Sequence, residues 1–373
     1  MLTTSLFSAS CIAAAAQATA VLPSEVAIPR SVRHQITSKM NNLTYKLSVF
    51  LPRGYETGTD RYPVLYVVSG ETFGPYFAEM TRFLAAGDIP KIIVVGIDFT
   101  DGDSYSMDLP TAGKDSHWDV PEKRGAANFL KILLGEMKPF IDGRYRTIPG
   151  DNGVAGQSMA GFFALYAFLH APDVFQHVYA SSPSMVWQDN VLLRDAKGLV
   201  AQDHDVKARV FTDVGGLEPN DGRLQTLDAE MTSAHLPSLR WRLRIAENQS
   251  HQTIAFADGI DALYSIYGPY LRQPLESELA GLAGTYCASD KRRFSLQTHD
   301  HRLFVIGFQS DDDSRTELLT TEPNEWFIRY LNYTMVVTPK GSDAYSLTFH
   351  LQPTPGPNGN IYTPTVSAEL CSR

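Results

Sequence analysis

Between residues 33 and 271 the hydrophobic positions keep changing their period. In "YKLSVFLP" (residues 45–52) apolar and polar side chains alternate, the repeat of an antiparallel strand at a sheet edge. "PVLYVVSG" (63–70) and "KIIVVGID" (91–98) are unbroken β-branched runs ending in Gly or Asp, the pattern of strands buried on both faces. "RGAANFLKILLGEMKPFI" (124–141) is apolar at helical spacing. The strand-like runs "GVAGQS", "HVYASSPS", "ARVFTDVG" and "LRWRLRIAEN" then take turns with the helix-like "MAGFFALYAFLHAP", "GRLQTLDAEMTSAH" and "HQTIAFADGIDALYSIY". Strand and helix in alternation predict an α/β unit, a mostly parallel sheet with helices on both faces. Such sheets bind ligands at the carboxyl ends of their strands.

From about Leu279 the texture changes to short strand-like runs such as "RFSLQTHD", "RLFVIGFQ", "WFIRYLNYTMVVT" and "AYSLTFHLQ", with turn clusters between them. These predict a small antiparallel β domain, a barrel or a sandwich, ending in the Pro/Gly-rich tail "PTPGPNGNIYTPT". The expected division is a signal peptide over residues 1–22, the α/β domain over 23–273, and the β domain with its tail over 274–373. The N-terminal reading rests on small and apolar residues from Leu6 to Ala20, too few to span a membrane, and on Ala-x-Ala patterns at Ala16–Ala18 and Ala18–Ala20. It predicts a periplasmic or secreted protein. Cleavage would remove Cys11 and leave Cys287 and Cys371, either bridged or as two buried thiols.

A formal net charge of −9, with no local Lys/Arg cluster to offset it, disfavours nucleic acid as a partner. Neither cysteine has a neighbouring histidine pattern that suggests zinc, and neither a metal nor another cofactor is expected. "THDH" (298–301) has the spacing of metal-binding histidines and "SDDDS" (310–314) the carboxylates of a calcium loop, but a hairpin turn is the favoured reading of the first and a solvated turn, without the EF-hand pattern, of the second. The oligomeric state is not legible.

Candidate chemistry centres on "VAGQSMAG" (154–161), at the junction of a strand-like and a helix-like run. A nucleophile elbow has the pattern Gly-x-Ser-x-Gly on a sharp strand-to-helix turn. Gly156, Ser158 and their surroundings fit it, with Ala160 in place of the second Gly. That position must be small because the helix start passes close to the neighbouring strand, and one methyl group is a minor intrusion. A serine hydroxyl needs a base within hydrogen-bond reach, and in this arrangement the chain order is Ser, acid, His. Of His170, His177, His204, His235 and His251, only His251 follows the last strand at the head of the last helix. The acid should follow "ARVFTDVG": Asp213 lies inside that run, whereas Glu218 and Asp221 lie in the loop beyond, with Glu218 preferred and Asp221 second. A developing oxyanion needs two backbone N–H groups; these are expected from Met159 and from either Gly70 or Glu71.

These stretches resemble the esterase family of the α/β-hydrolase superfamily, in particular its siderophore (trilactone) esterase branch. The likeness covers residues 33–271 and rests on "LSVFLPRGY", "RYPVLYVVSG", "IIVVGID", "EMKPFIDGRYRT", "VAGQSMAGFFALYAF", "SPSMVW", "VGGLE" and "SHQT". It implies an α/β-hydrolase fold and a serine esterase that cuts carboxylic esters through an acyl-enzyme, with Ser158, Glu218 and His251 as nucleophile, acid and base. The expected substrate is a small-molecule ester, bulky and soluble. In the branch, the residue before Asp-Leu in "YSMDLPT" is often arginine; Met107 stands there in this chain, which argues against an anionic catecholate ligand. Trp187 either lines the acyl pocket or packs in the core. The competing readings are an acyltransferase with the same three residues and a non-catalytic binding protein on a hydrolase scaffold.

Overall fold

A computed structural model of the chain describes residues 28–372, except 86–87, 101–103, 115–118, 189, 203–204, 220–221, 235, 270–273, 309–314, 323, 329–332, 341–344, 352–353, 356–360 and 363–364. The expected signal peptide, Cys11, "SDDDS", His204, His235 and Asp221 therefore lie outside the described residues.

The first strands are β1 (Ser31–Thr37), β2 (Thr44–Phe50), β3 (Tyr62–Val68) and β4 (Ile93–Phe99). The two-residue strands β5 (Gly113–Lys114) and β6 (Asp119–Val120) pair with each other in a loop. β7 (Thr147–Gln157), β8 (Phe175–Ser181), β9 (Arg209–Gly215) and β10 (Arg240–Ala246) complete an eight-stranded sheet ordered β1-β2-β4-β3-β7-β8-β9-β10. From β4 onward every neighbour is parallel, while β2 runs antiparallel to both β1 and β4. This is the α/β-hydrolase arrangement.

One expectation needs correction here. The stretch "YKLSVFLP" is antiparallel but not an edge, because β1 covers it. Its polar positions face α1 (Gly70–Leu84): Lys46 pairs with Glu71 at 3.1 Å, and Ser48 lines a groove with Gly70 and Pro75. Alternation reported two differently covered faces, not an uncovered side.

The helices sort onto the two faces. α1 and α8 (Ile254–Tyr267) bury Phe73, Phe77, Leu263 and Ile266 against one face of the sheet. On the other lie α3 (Ala126–Ile132), continued through a π turn (Leu133–Met137) into α4 (Lys138–Asp142), with α5 (Met159–His170), α6 (Val191–Val200) and α7 (Arg223–Ser233). The short α2 (Ser104–Asp108) follows β4, and α9 (Glu276–Leu282) precedes the second sheet.

That second sheet is a closed antiparallel barrel. Its strands are β11 (Gly284–Ala288), β12 (Arg293–His299), β13 (Arg302–Ile306), β14 (Arg315–Glu322), β15 (Glu325–Ile328), β16 (Tyr333–Pro339), β17 (Tyr345–Leu351) and β20 (Thr365–Ser372). Tyr286, Phe294, Trp326, Met335 and Phe349 fill its interior. The "THDH" turn between β12 and β13 has positive φ at Asp300 (49°) and His301 (59°), as a tight hairpin requires. The small β18 (Thr354–Pro355) and β19 (Ile361–Tyr362) pair within the Pro/Gly-rich stretch. Beyond that stretch the chain is not a loose end: β20 pairs with β11 and β17 and closes the barrel, burying Val366 and Ala368. Cys371 on β20 is bridged to Cys287 on β11 across a Cα–Cα distance of 5.8 Å.

Candidate active site

β7 ends at Gln157 and α5 begins at Met159, which leaves Ser158 alone in the turn with φ 60° and ψ −119°. An L-residue adopts that conformation at a cost of about 1–3 kcal/mol, so the surroundings must enforce it. Three backbone hydrogen bonds do so: Ser158 N–H to Ser181 O (2.9 Å), Ser184 N–H to Ser158 O (3.0 Å) and Phe162 N–H to Ser158 O (2.9 Å). The small residues follow from the same crowding. A Cβ on Gly156 would lie 2.4 Å from Ala160 O, and one on Gly161 would lie 2.8 Å from Ser181 O. The Ala160 methyl is tolerated because it occupies the space that Gly156 leaves empty.

β9 and β10 end beside this elbow. After β9, Gly215 N–H donates to Glu218 Oε1 at 2.8 Å, so the loop folds back and fixes the carboxylate. After β10, His251 directs Nδ1 to Glu218 Oε2 at 2.7 Å. The imidazole is 40% exposed and the carboxylate 10%, so the ring faces solvent while its partner is shielded. The side chain of Gln157, next to Ser158, donates through Nε2 to the carbonyl of His251. His251 is thereby tied to the elbow through its backbone.

The other sequence candidates separate cleanly. Asp213 is fully buried and accepts from Tyr179 Oη (2.8 Å), Ser181 Oγ (2.7 Å) and Ser182 N (3.1 Å), not from an imidazole. Burial, above all, pushes its carboxyl up to about 7, against the lowering effect of the two hydroxyls. His177 is occupied by Ile266 O and Asp151, and His170 by Asp195, all away from the elbow.

On the oxyanion side, the Glu71 N–H donates to Asp98 Oδ1 at 2.9 Å, and its carboxylate pairs with Lys46. That amide is engaged by the buried Asp98. A Cβ at Gly70 would lie 2.4 Å from Gly96 Cα, so glycine is required where α1 crosses β4. Trp187 is only 3% exposed and packs in the main core. Met107 is partly exposed on α2, beside Asp108, which is anchored by Arg124 at 2.5 Å and Tyr45 at 3.3 Å.

Sequence reasoning missed Ser182. Its hydroxyl donates to Glu218 Oε2 at 2.5 Å and lies 3.0 Å from His251 Nδ1. It missed Tyr105 too, whose phenol faces the Ser69 side chain and the Ala160 backbone and is held protonated chiefly by burial. The "SPS" stretch after β8 was the available signal for Ser182. Nothing in the sequence marks Tyr105.

A family model described as "Putative esterase" matches residues 38–262. Among curated relatives, the ferri-bacillibactin esterase BesA of Bacillus subtilis is 26% identical over 190 residues, covering 47% of this chain and 65% of that protein. The iron(III) enterobactin esterase of Dickeya dadantii is 30% identical over 136 residues, 36% of this chain and 28% of its own length. The chain thus spans less than two thirds of both relatives. Among solved structures, the BES protein from Bacillus cereus superposes with a TM-score of 0.60 at 20% identity, covering 66% of this chain and 99% of that one, which shows a common fold. With residues 38–262, most of its α/β unit, matched by the family model, this chain belongs to that esterase family.

Proposed function

We propose that the protein is a serine hydrolase of carboxylic esters, with Ser158 as nucleophile, His251 as base and Glu218 as acid. The observation that carries this reading is the strained Ser158 turn tied to a Glu218–His251 pair 2.7 Å apart. Ser158 Oγ attacks the ester carbonyl while His251 Nε2 takes its proton, and Glu218 stabilises the imidazolium. The N–H groups of Met159 and Gly70 receive the developing oxyanion. The imidazolium then returns the proton to the departing alcohol, leaving an acyl group on Ser158. Water, deprotonated by His251, attacks that acyl group, and the imidazolium returns the proton to Ser158 Oγ as the Oγ–acyl bond breaks and the acid is released.

The substrate we propose is a bulky soluble ester, of which siderophore lactones are the leading class, since relatives are named as ferri-bacillibactin, iron(III) enterobactin and siderophore triacetylfusarinine C esterases. Two large apolar side chains left exposed on the loops after β8 and β9, Val186 (45%) and Leu217 (67%), favour a substrate with apolar surface beside the scissile bond. Export is proposed with it: the small-residue N-terminus and the Cys287–Cys371 bridge both suit an oxidising compartment. Purified protein should hydrolyse p-nitrophenyl butyrate and take up a fluorophosphonate label. Ser158→Ala should lose both, and near wild-type turnover in that variant would reject the mechanism.

A further inference from the structure

The turn Ser181–Ser184, at the end of β8, touches all three proposed catalytic residues. Ser181 O and Ser184 N hold the backbone of Ser158, and Ser182 Oγ contacts both Glu218 and His251. Ser182 itself is 5% exposed and sits at φ 39°, a left-handed conformation that a serine does not adopt without cause. Its amide supplies the cause, donating to Asp213 O at 2.9 Å and to Asp213 Oδ1 at 3.1 Å. The strained backbone thus directs the hydroxyl between acid and base.

We infer that Ser182 is a positioning residue for the reaction: its hydroxyl fixes the Glu218 carboxylate and moderates the charge it presents to His251. This rests on the triad reading above. A glutamate has one more rotatable bond than an aspartate and more freedom to lose when it is held. Besides the imidazole, two donors hold this one, the Gly215 N–H on Oε1 and the Ser182 O–H on Oε2. The second is a charge-assisted bond to the oxygen that also accepts the His251 Nδ1–H, so it withdraws negative charge from the atom facing the imidazole. Without it the carboxylate is freer to rotate and its Oε2 more basic.

The test uses Ser182→Ala and Ser182→Gly in the full chain, because glycine adopts φ 39° without strain. In both variants kcat for p-nitrophenyl butyrate should fall roughly 10-fold with KM within about twofold, a loss of transition-state and not of ground-state binding. The acidic limb of the kcat/KM profile should move up by about half a pH unit, since a more basic carboxylate favours the protonated imidazole. The melting temperature of Ser182→Gly should match or exceed that of the wild type, which separates positioning from folding. Wild-type kcat, or an acidic limb that stays or falls, overturns the inference when Ser158→Ala and His251→Ala are inactive beside it. Turnover in those two variants overturns the triad reading, and this inference with it.

Discussion

Replacing Asp213 with Asn should flatten part of the pH dependence of folding stability. The carboxyl is fully buried and held by two hydroxyls and one amide, with no cation among its described hydrogen-bond partners. Desolvation is the largest influence and raises it from an ordinary 3.8 to about 7. Between those two values the native chain keeps a proton that the unfolded chain has lost. The stabilisation is therefore fully present below the lower value and is lost as pH climbs to the upper one. One proton gives a slope of at most about 1.4 kcal/mol per pH unit, and about 4 kcal/mol across the whole window as an upper figure. An asparagine never ionises there; its amide oxygen can accept from Ser181 and Ser182, and its N–H group can donate to Tyr179 Oη. The stability of Asp213→Asn relative to wild type should consequently rise with pH. Denaturant unfolding of both proteins, followed by one signal from about pH 4.5 to about pH 7.5, measures it, because the difference cancels every other titrating group. A difference that does not change with pH would refute the assignment of a buried, protonated Asp213.

Glu218→Gln should lower kcat less than His251→Ala, since the acid orients and stabilises the imidazole whereas the imidazole moves the proton; a silent Glu218→Gln beside a damaged Asp221→Asn would transfer the role of acid to Asp221. Gly156→Ala should cost about 3 kcal/mol or more and leave little folded protein, because its Cβ would lie 2.4 Å from Ala160 O, whereas Ala160→Gly should keep its activity; equal melting temperatures for the two variants would contradict this packing. Reducing the Cys287–Cys371 bridge, which closes an 84-residue separation, should destabilise the barrel by up to roughly 4–5 kcal/mol on the chain-entropy model, seen as an earlier loss of near-ultraviolet signal from its buried Trp326. An unchanged barrel transition under reductant would show that β20 is held by its ladders alone.

Much of the fold was legible because β3 and β4 are apolar on both faces and announce a covered parallel sheet without outside help. The helix α1 was not, since Gly70, Gly74 and Pro75 interrupt its pattern for reasons of contact: Gly70 must pass Gly96, and Gly74 must pass the ring of Phe50. The last strand was hidden for a related reason. β20 buries Val366 and Ala368 on alternate positions, but its ladder partner β11 lies far back in the chain, and the Pro/Gly run that separates it from its other partner β17 reads locally as an ending.

At the candidate site, what was legible depends on chain order, and what was not depends on contact. Ser158, Glu218 and His251 could be named because each follows a different strand at the same sheet edge, a fact that topology carries. The residues that hold them could not. Gln157 and Ser182 are ordinary polar residues until β7 and β8 bring them against the loops after β9 and β10. The contact of Glu71 was not legible either: its amide donates to Asp98, a buried carboxylate one strand away. Ala160 shows the opposite case, a departure from a motif that contact explains. The motif asks for room between the elbow and its helix, and Gly156 supplies that room from the other side of the turn. The physical requirement is a sum of small volumes at positions 156, 160 and 161, so a pattern that demands glycine at one of them is stricter than the packing it describes.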